Sequence, residues 1–226
     1  MSYQAVSQWV ADQIFTGTGL IGVANIVAAA PYYDCDNIGN STNTAYFAGL
    51  APSDVINRCN SSFASLTPIL NISNIVAQKY NLSMATYESG TSISETDTIY
   101  SGNENPQATA NFIKANDSPA MYSVYKQLLF LYKKNNYTRN APMNIFSSIG
   151  LPSKYGSWGV LDYLDQVNEV PTHPKFQAIK DFNQGFWYLN TYHHTLRLKY
   201  LNIKYYKISI NISISDIRLN TVDLFL

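Results

Sequence analysis

The chain has 226 residues, of which 46% are hydrophobic and 14% aromatic, so it can bury a sizeable core. Only 13% are charged, against a typical figure of about 25%, and this excludes the polar, highly charged composition of a disordered chain. Net charge is zero, and no dense Lys/Arg stripe with interleaved aromatics appears, which argues against a nucleic-acid partner.

Residues 3–15 place Val6, Trp9, Val10 and Ile14 at helical spacing, and Gly17 and Gly19 stop that helix. Residues 21–30 are a nearly continuous apolar run ended by Pro31, the pattern of a strand buried on both faces in a parallel sheet. Residues 32–43 read as loop. Residues 53–79 open on Ser53-Asp54 as N-cap, and Pro68 divides the stretch into two helices, because proline lacks a donor and clashes one turn back. Residues 82–87 form a second strand, followed by a polar loop over 88–105. Residues 106–134 are helical, broken at Ser118-Pro119. In the second half Met121, Val124, Tyr125, Leu128, Leu129 and Tyr132 share one face. Residues 143–149 form a third strand, a Gly/Pro/Ser-rich loop runs to Gly159, and residues 174–182 close with a helix whose first turn holds Pro174.

Strands alternating with helices imply an α/β fold with a parallel sheet. About three strands over residues 1–183 cannot close an eight-stranded barrel, which takes roughly 250 residues. Residues 184–226 differ: Ile208, Ile210, Ile212 and Ile214 alternate with Ser and Asn, the period of a strand with one apolar face. This atypical tail is given no role.

Chemistry points to Glu88. It directly follows the second strand, and parallel α/β folds gather their catalytic groups at the C-terminal ends of strands. Tyr32 and Tyr33 follow the first strand, and Trp158 lies in the loop after the third. Aromatic faces of this kind stack on the CH faces of sugar rings, so a carbohydrate is the expected partner. Asp34 and Asp36 near Gly39 lack the bidentate glutamate of a calcium loop, His173 falls in a surface loop, and His193 and His194 have no metal-ligand spacing with the cysteines. Hence no metal and no cofactor is expected. Cys35 and Cys59 are the only cysteines, and sequons occur at Asn40, Asn60, Asn71, Asn81, Asn116, Asn136 and Asn211. The Asn116 sequon is weakened by Pro119. The cysteine pair, as a disulfide, and the sequons, as glycosylation sites, indicate a secretory context. The N-terminus has no basic segment followed by an apolar stretch, and no apolar run reaches 18 residues, so neither a signal peptide nor a transmembrane helix is read.

The segments IVAAAPYYD (Ile26–Asp34), ATYESG (Ala85–Gly90) and YGSWGVLDY (Tyr155–Tyr163) resemble the last three strand ends of clan-A-type glycoside hydrolase barrels. They are most similar to large extracellular cellulase- or arabinofuranosidase-like proteins, and the resemblance covers roughly residues 1–183. It implies a partial (incomplete) TIM-type barrel descended from a retaining glycosidase, with Glu88 as nucleophile. It makes Trp158 an aromatic floor beside the scissile bond, and Tyr32 and Tyr33 substrate-binding aromatics. The family's acid/base glutamate, in an Asn-Glu pair after the fourth strand, would fall before Met1; Asn103-Glu104 lies after the nucleophile strand and does not take that role. An incomplete or inactive hydrolase relative is therefore expected. The alternatives are a non-catalytic, secreted carbohydrate-binding glycoprotein, or a truncated product without its own function.

Overall fold

The computed structural model describes residues 7–19, 21–35, 41–94, 102, 104–135, 142–169 and 173–185. The tail from Phe186, with its alternating isoleucines, His193, His194 and Asn211, lies outside the described residues, as do Asn40, Asn136, Asp36 and Gly39. Met1–Gly185 make up one compact unit.

The order is α1 (Gln8–Gly17), β1 (Ile26–Ala29), β2 (Tyr32–Tyr33), α2 (Ser41–Ala48), α3 (Pro52–Cys59), α4 (Ser62–Tyr80), β3 (Ser83–Thr86), β4 (Gly90–Thr91), α5 (Pro106–Asp117), α6 (Ala120–Asn135), a 3₁₀ turn (Leu164–Asn168) and α7 (Pro174–Asn183). The described chain is thus mixed α/β, with seven α-helices and only short parallel strands. β1 pairs parallel with β3, Ile26 opposite Ser83 through Ala29 opposite Thr86. Just beyond them β2 pairs parallel with β4, Tyr32 opposite Gly90 and Tyr33 opposite Thr91.

The expected third strand, 143–149, is reduced to isolated parallel bridges, Thr86 with Met143 and Ile149 with Leu161. Side chains intercept the ladder there. The Asn144 N–H donates to Thr86 Oγ1 at 2.8 Å, and Asn144 Nδ2 donates to the Thr86 carbonyl at 2.9 Å, so the backbone groups that would propagate the sheet are already satisfied. The segment still lies alongside β3: the Phe146 N–H donates to Ser89 O at 2.8 Å, and Ser89 Oγ donates to Asn144 O at 2.8 Å.

Pro68 does not divide a helix; it lies inside α4. Its missing donor and steric clash oppose the helix by about 3 kcal/mol. Phe63, Leu66, Leu70, Val76 and Ala77 of the same helix are buried, and packing of such a face is what holds most helices in proteins. The break falls instead at Asn60-Ser61. The cap of α3 is Ala51 rather than Ser53, with Pro52 at the first helical position, where its lost N–H had no partner to lose. The break at Ser118-Pro119 occurs where expected, between α5 and α6. α5 starts on Asn105, whose Oδ1 accepts from the N–H groups of Gln107 and Ala108 at 3.1 and 3.3 Å. Residues 32–43 and 88–105, expected as loops, contain β2, the start of α2, and β4.

The main core gathers Tyr33, Val55, Ile56, Leu66, Phe112, Met121, Val124, Tyr125 and Leu128 from helices α3 to α6 and from β2. A second cluster, including Phe15, Leu70, Val76, Met84 and Tyr132, seats α1 and α4 beside β3. The face read from α6 is the buried one: Met121, Val124, Tyr125, Leu128, Leu129 and Tyr132 are all inside.

Candidate functional site

Glu88 sits half-buried in the three-residue link between β3 and β4, at the C-terminal edge of the parallel strands. The link is anchored on both sides: the Tyr87 N–H donates to Ala29 O at 3.1 Å, and Ser89 is fully buried. Tyr32 lies close enough to Glu88 for the carboxylate charge to act on its phenol. Burial, then the charge of Glu88, pushes the Tyr32 phenol well above its ordinary value. Tyr32 therefore stays protonated beside the carboxylate. Its ring meets Trp158 edge-on at 5.7 Å between centroids, at an interplanar angle of 80°. Phe146 meets Trp158 from another side at 6.0 Å and 68°.

The Trp158 loop is tightly built. The Trp158 carbonyl accepts from the Ser147 N–H at 2.8 Å, and the Val160 N–H donates to Ser147 O at 2.8 Å. The indole Nε1 donates to Tyr155 O at 3.1 Å. Ser153 and Gly156 exchange two backbone hydrogen bonds of 3.0 Å. Gly156 has φ +139, and a Cβ there would stand 2.5 Å from the indole, so the glycine both permits the turn and makes room for the ring.

The structure thus brings Glu88, Tyr32 and Trp158 together, and it adds Phe146, which the sequence reading passed over as a strand residue. Phe146 is 45% exposed and Tyr87 41% exposed, so both offer ring surface at this edge. The placement of Tyr33 as a substrate-binding aromatic is corrected. Tyr33 is completely buried, packed on Phe63 at 4.8 Å. Its hydroxyl lies 3.2 Å from Ile56 O and 3.3 Å from Asn60 Oδ1. The reason is the pleat: neighbouring residues of a strand point to opposite sides. Tyr32 takes the site side, while Tyr33 caps a carbonyl in the last turn of α3.

Cys35 and Cys59 form a disulfide, both buried, joining the segment after β2 to the last residue of α3. Asn60, Asn71 and Asn81 are exposed. Asn116 is 1% exposed, accepting from Thr91 Oγ1 at 3.0 Å and donating to Phe112 O at 3.0 Å. Glu104 is ion-paired with Lys154 at 3.0 Å. No helix among the described residues is long and apolar enough to cross a membrane.

A second polar group was not foreseen. His173, expected in a surface loop, is 8% exposed, with Nε2 3.4 Å from Asp117 Oδ1. Asp117, Asp162 and His173 bring ligand-type atoms within 4.8 Å of one another, beside an open hollow lined also by Tyr122, Gln166 and Glu169. An apolar hollow is lined by Met143, Ile145, Ile149, Leu164 and Phe176, among others. Neither hollow includes Glu88, Tyr32 or Trp158. The charges of Asp117 and Asp162 act on the buried ammonium of Lys175 and favour its charged form.

Comparison with protein-family models, with characterised proteins and with solved structures finds no match.

Proposed function

We propose that this chain is a glycoside hydrolase-like protein whose Glu88–Tyr32–Trp158 face binds a pyranose or furanose ring, on a partial TIM-type barrel. Glu88 holds the position of the nucleophile of a retaining glycosidase. The observation that carries the reading is the Tyr32 ring meeting Trp158 edge-on at 5.7 Å, at the strand edge where Glu88 follows β3. A carboxylate beside an aromatic wall suits the orientation of a sugar ring: apolar CH groups on the ring, hydroxyls on the carboxylate. In a retaining reaction the Glu88 carboxylate would attack the anomeric carbon. Such a reaction also needs a second carboxyl group about 5–5.5 Å away to protonate the leaving oxygen.

One observation favours the non-catalytic reading as a second possibility. Among the described residues, the groups acting electrostatically on Tyr32 are Glu88, Tyr87 and Tyr125, one carboxylate in all. The buried Cys35–Cys59 disulfide and the exposed sequons support an oxidising, secretory compartment for either reading.

Titration calorimetry with cello- and arabino-oligosaccharides, together with hydrolysis of aryl glycosides, tests this. Binding is expected to survive Glu88→Gln and to be lost in Trp158→Ala. Aryl-glycoside turnover that Glu88→Gln abolishes identifies the hydrolase; binding without turnover identifies the carbohydrate-binding protein. Binding untouched by Trp158→Ala refutes the site.

A further inference from the structure

Lys175 is a lysine in the first turn of α7 that has almost no contact with water, at 1% exposure. Burying an ammonium is unfavourable unless it is paired and hydrogen-bonded. Its Nζ donates to Ser157 O at 2.6 Å and to Gly159 O at 3.2 Å, the carbonyls on either side of Trp158. Its third neighbour is the ring of Tyr125 on α6, 5.9 Å away. Tyr125 is itself fully buried, and its hydroxyl would stand 3.3 Å from a Cβ at Gly90. The charges that face Lys175 are Asp117, at the end of α5, and Asp162, after the Trp158 loop. His173 precedes it by two residues and pairs with Asp117.

We propose that Lys175 is the positioning residue of the Trp158 platform: its ammonium grips the backbone before and after Trp158 and so fixes the indole against Tyr32 and Phe146. This rests on the carbohydrate-binding reading above. The indole bond to Tyr155 O lies within the loop itself, and the side chains that flank Trp158 offer no anchor outside it. Ser157 and Gly159 carry small or no side chains, and Gly159 is pressed so close to Gly150 that a Cβ would stand 2.5 Å from the Gly150 carbonyl oxygen. Lys175 reaches this loop from a different element, so the platform is referenced to α7 and, through the Tyr125 ring, to the core that carries Gly90 and Glu88. An ammonium is suited to the task, since it supplies three donors and no acceptor. The two carbonyls and the Tyr125 π-face take up its three sides.

The test uses the full chain with Trp9 and Trp187 replaced by phenylalanine, so that Trp158 is the sole indole. In that background Lys175→Met is expected to keep its far-UV circular dichroism. Acrylamide quenching of Trp158 should rise, its emission should move to the red, and affinity for whichever of cellohexaose and an arabino-oligosaccharide the parent binds should fall about tenfold, the loss of 1.4 kcal/mol of orientation. Lys175→Gln, which keeps a donor for one carbonyl, should fall between the two, and it carries the same readouts if Lys175→Met loses its helical signal. Quenching and emission unchanged from the parent overturn the proposal, as does an unchanged affinity in a variant whose indole has loosened. If the indole loosens but the parent binds neither sugar, the positioning role stands and the carbohydrate reading fails.

Discussion

The burial of Lys175 contributes a stability that rises with pH between about 8 and 10.5. Burial lowers the Lys175 ammonium from 10.5 to about 8, while Asp117 and Asp162 oppose the change. A displacement of that size corresponds to roughly 3 kcal/mol disfavouring the folded, charged state. The sign follows from proton counting. Between about pH 8 and 10.5 the unfolded chain holds the Lys175 proton more firmly than the folded one, so unfolding takes up a proton and becomes less favourable as pH rises. Going from pH 7 to 9.5 recovers about 2 kcal/mol of that penalty, or about 4–8 °C in Tm for a domain of this size. Other groups titrate nearby. Tyr125 and Tyr122 are pushed up to about 12, the former by burial, the latter by burial and then its bond to Asp181, and they act in the opposite direction above pH 10. The assay is therefore a difference: thermal denaturation of the wild type and of Lys175→Met at intervals from pH 7 to 9.5, each followed by circular dichroism. Lys175→Met removes the charge and leaves two carbonyls without their donor, a loss of about 1–3 kcal/mol that does not depend on pH. The wild-type curve should climb relative to the variant as pH rises. Parallel curves would show that Lys175 is not charged and buried at neutral pH, and the reasoning about its environment would fall.

Reducing the Cys35–Cys59 bond, or replacing either cysteine by serine, should lower stability by about 3 kcal/mol, as expected for a cross-link spanning a separation of 24 residues; denaturant midpoints with and without reductant measure it. Gly156→Ala should loosen the platform, because a methyl group there would stand 2.5 Å from the indole at a backbone angle that side chains avoid. Trp158 fluorescence should shift while far-UV circular dichroism holds. In a eukaryotic secretory host, peptide mapping should find glycans among Asn60, Asn71 and Asn81 and none on Asn116, whose amide is buried and bonded at both ends. A glycan on Asn116 in folded protein would contradict the packing of α5.

Much of the helical framework was readable from spacing. The apolar stripe of α6 lies inside residue for residue, and the Ser118-Pro119 break falls where a proline forces it. Pro68 misled because propensity is local, whereas the faces of α4 on both sides of it are held by the core. The site was partly readable: Glu88 and Tyr32 meet because each follows an apolar run at the same sheet edge. Tyr33 could have been assigned inward by strand alternation alone, had Tyr32–Tyr33 been read as strand rather than loop. Lys175 left no trace, since a lysine in a first helical turn reads as a solvated charge until its carbonyl partners, 16 and 18 residues earlier, are placed against it. Phe146 was hidden by a strand pattern that side-chain hydrogen bonds from Thr86 and Asn144 cut short.

β2 has two residues, yet it is where the interior and the proposed sugar face share a backbone. Tyr33 and Cys35 point inward on alternate positions, one seated beneath α3 and the other bonded to its last residue, and Tyr32 is fixed between those anchors and the outer edge. Cleaving that sulfur pair would leave the short strand tied to α3 by the Tyr33 hydroxyl alone of these two anchors.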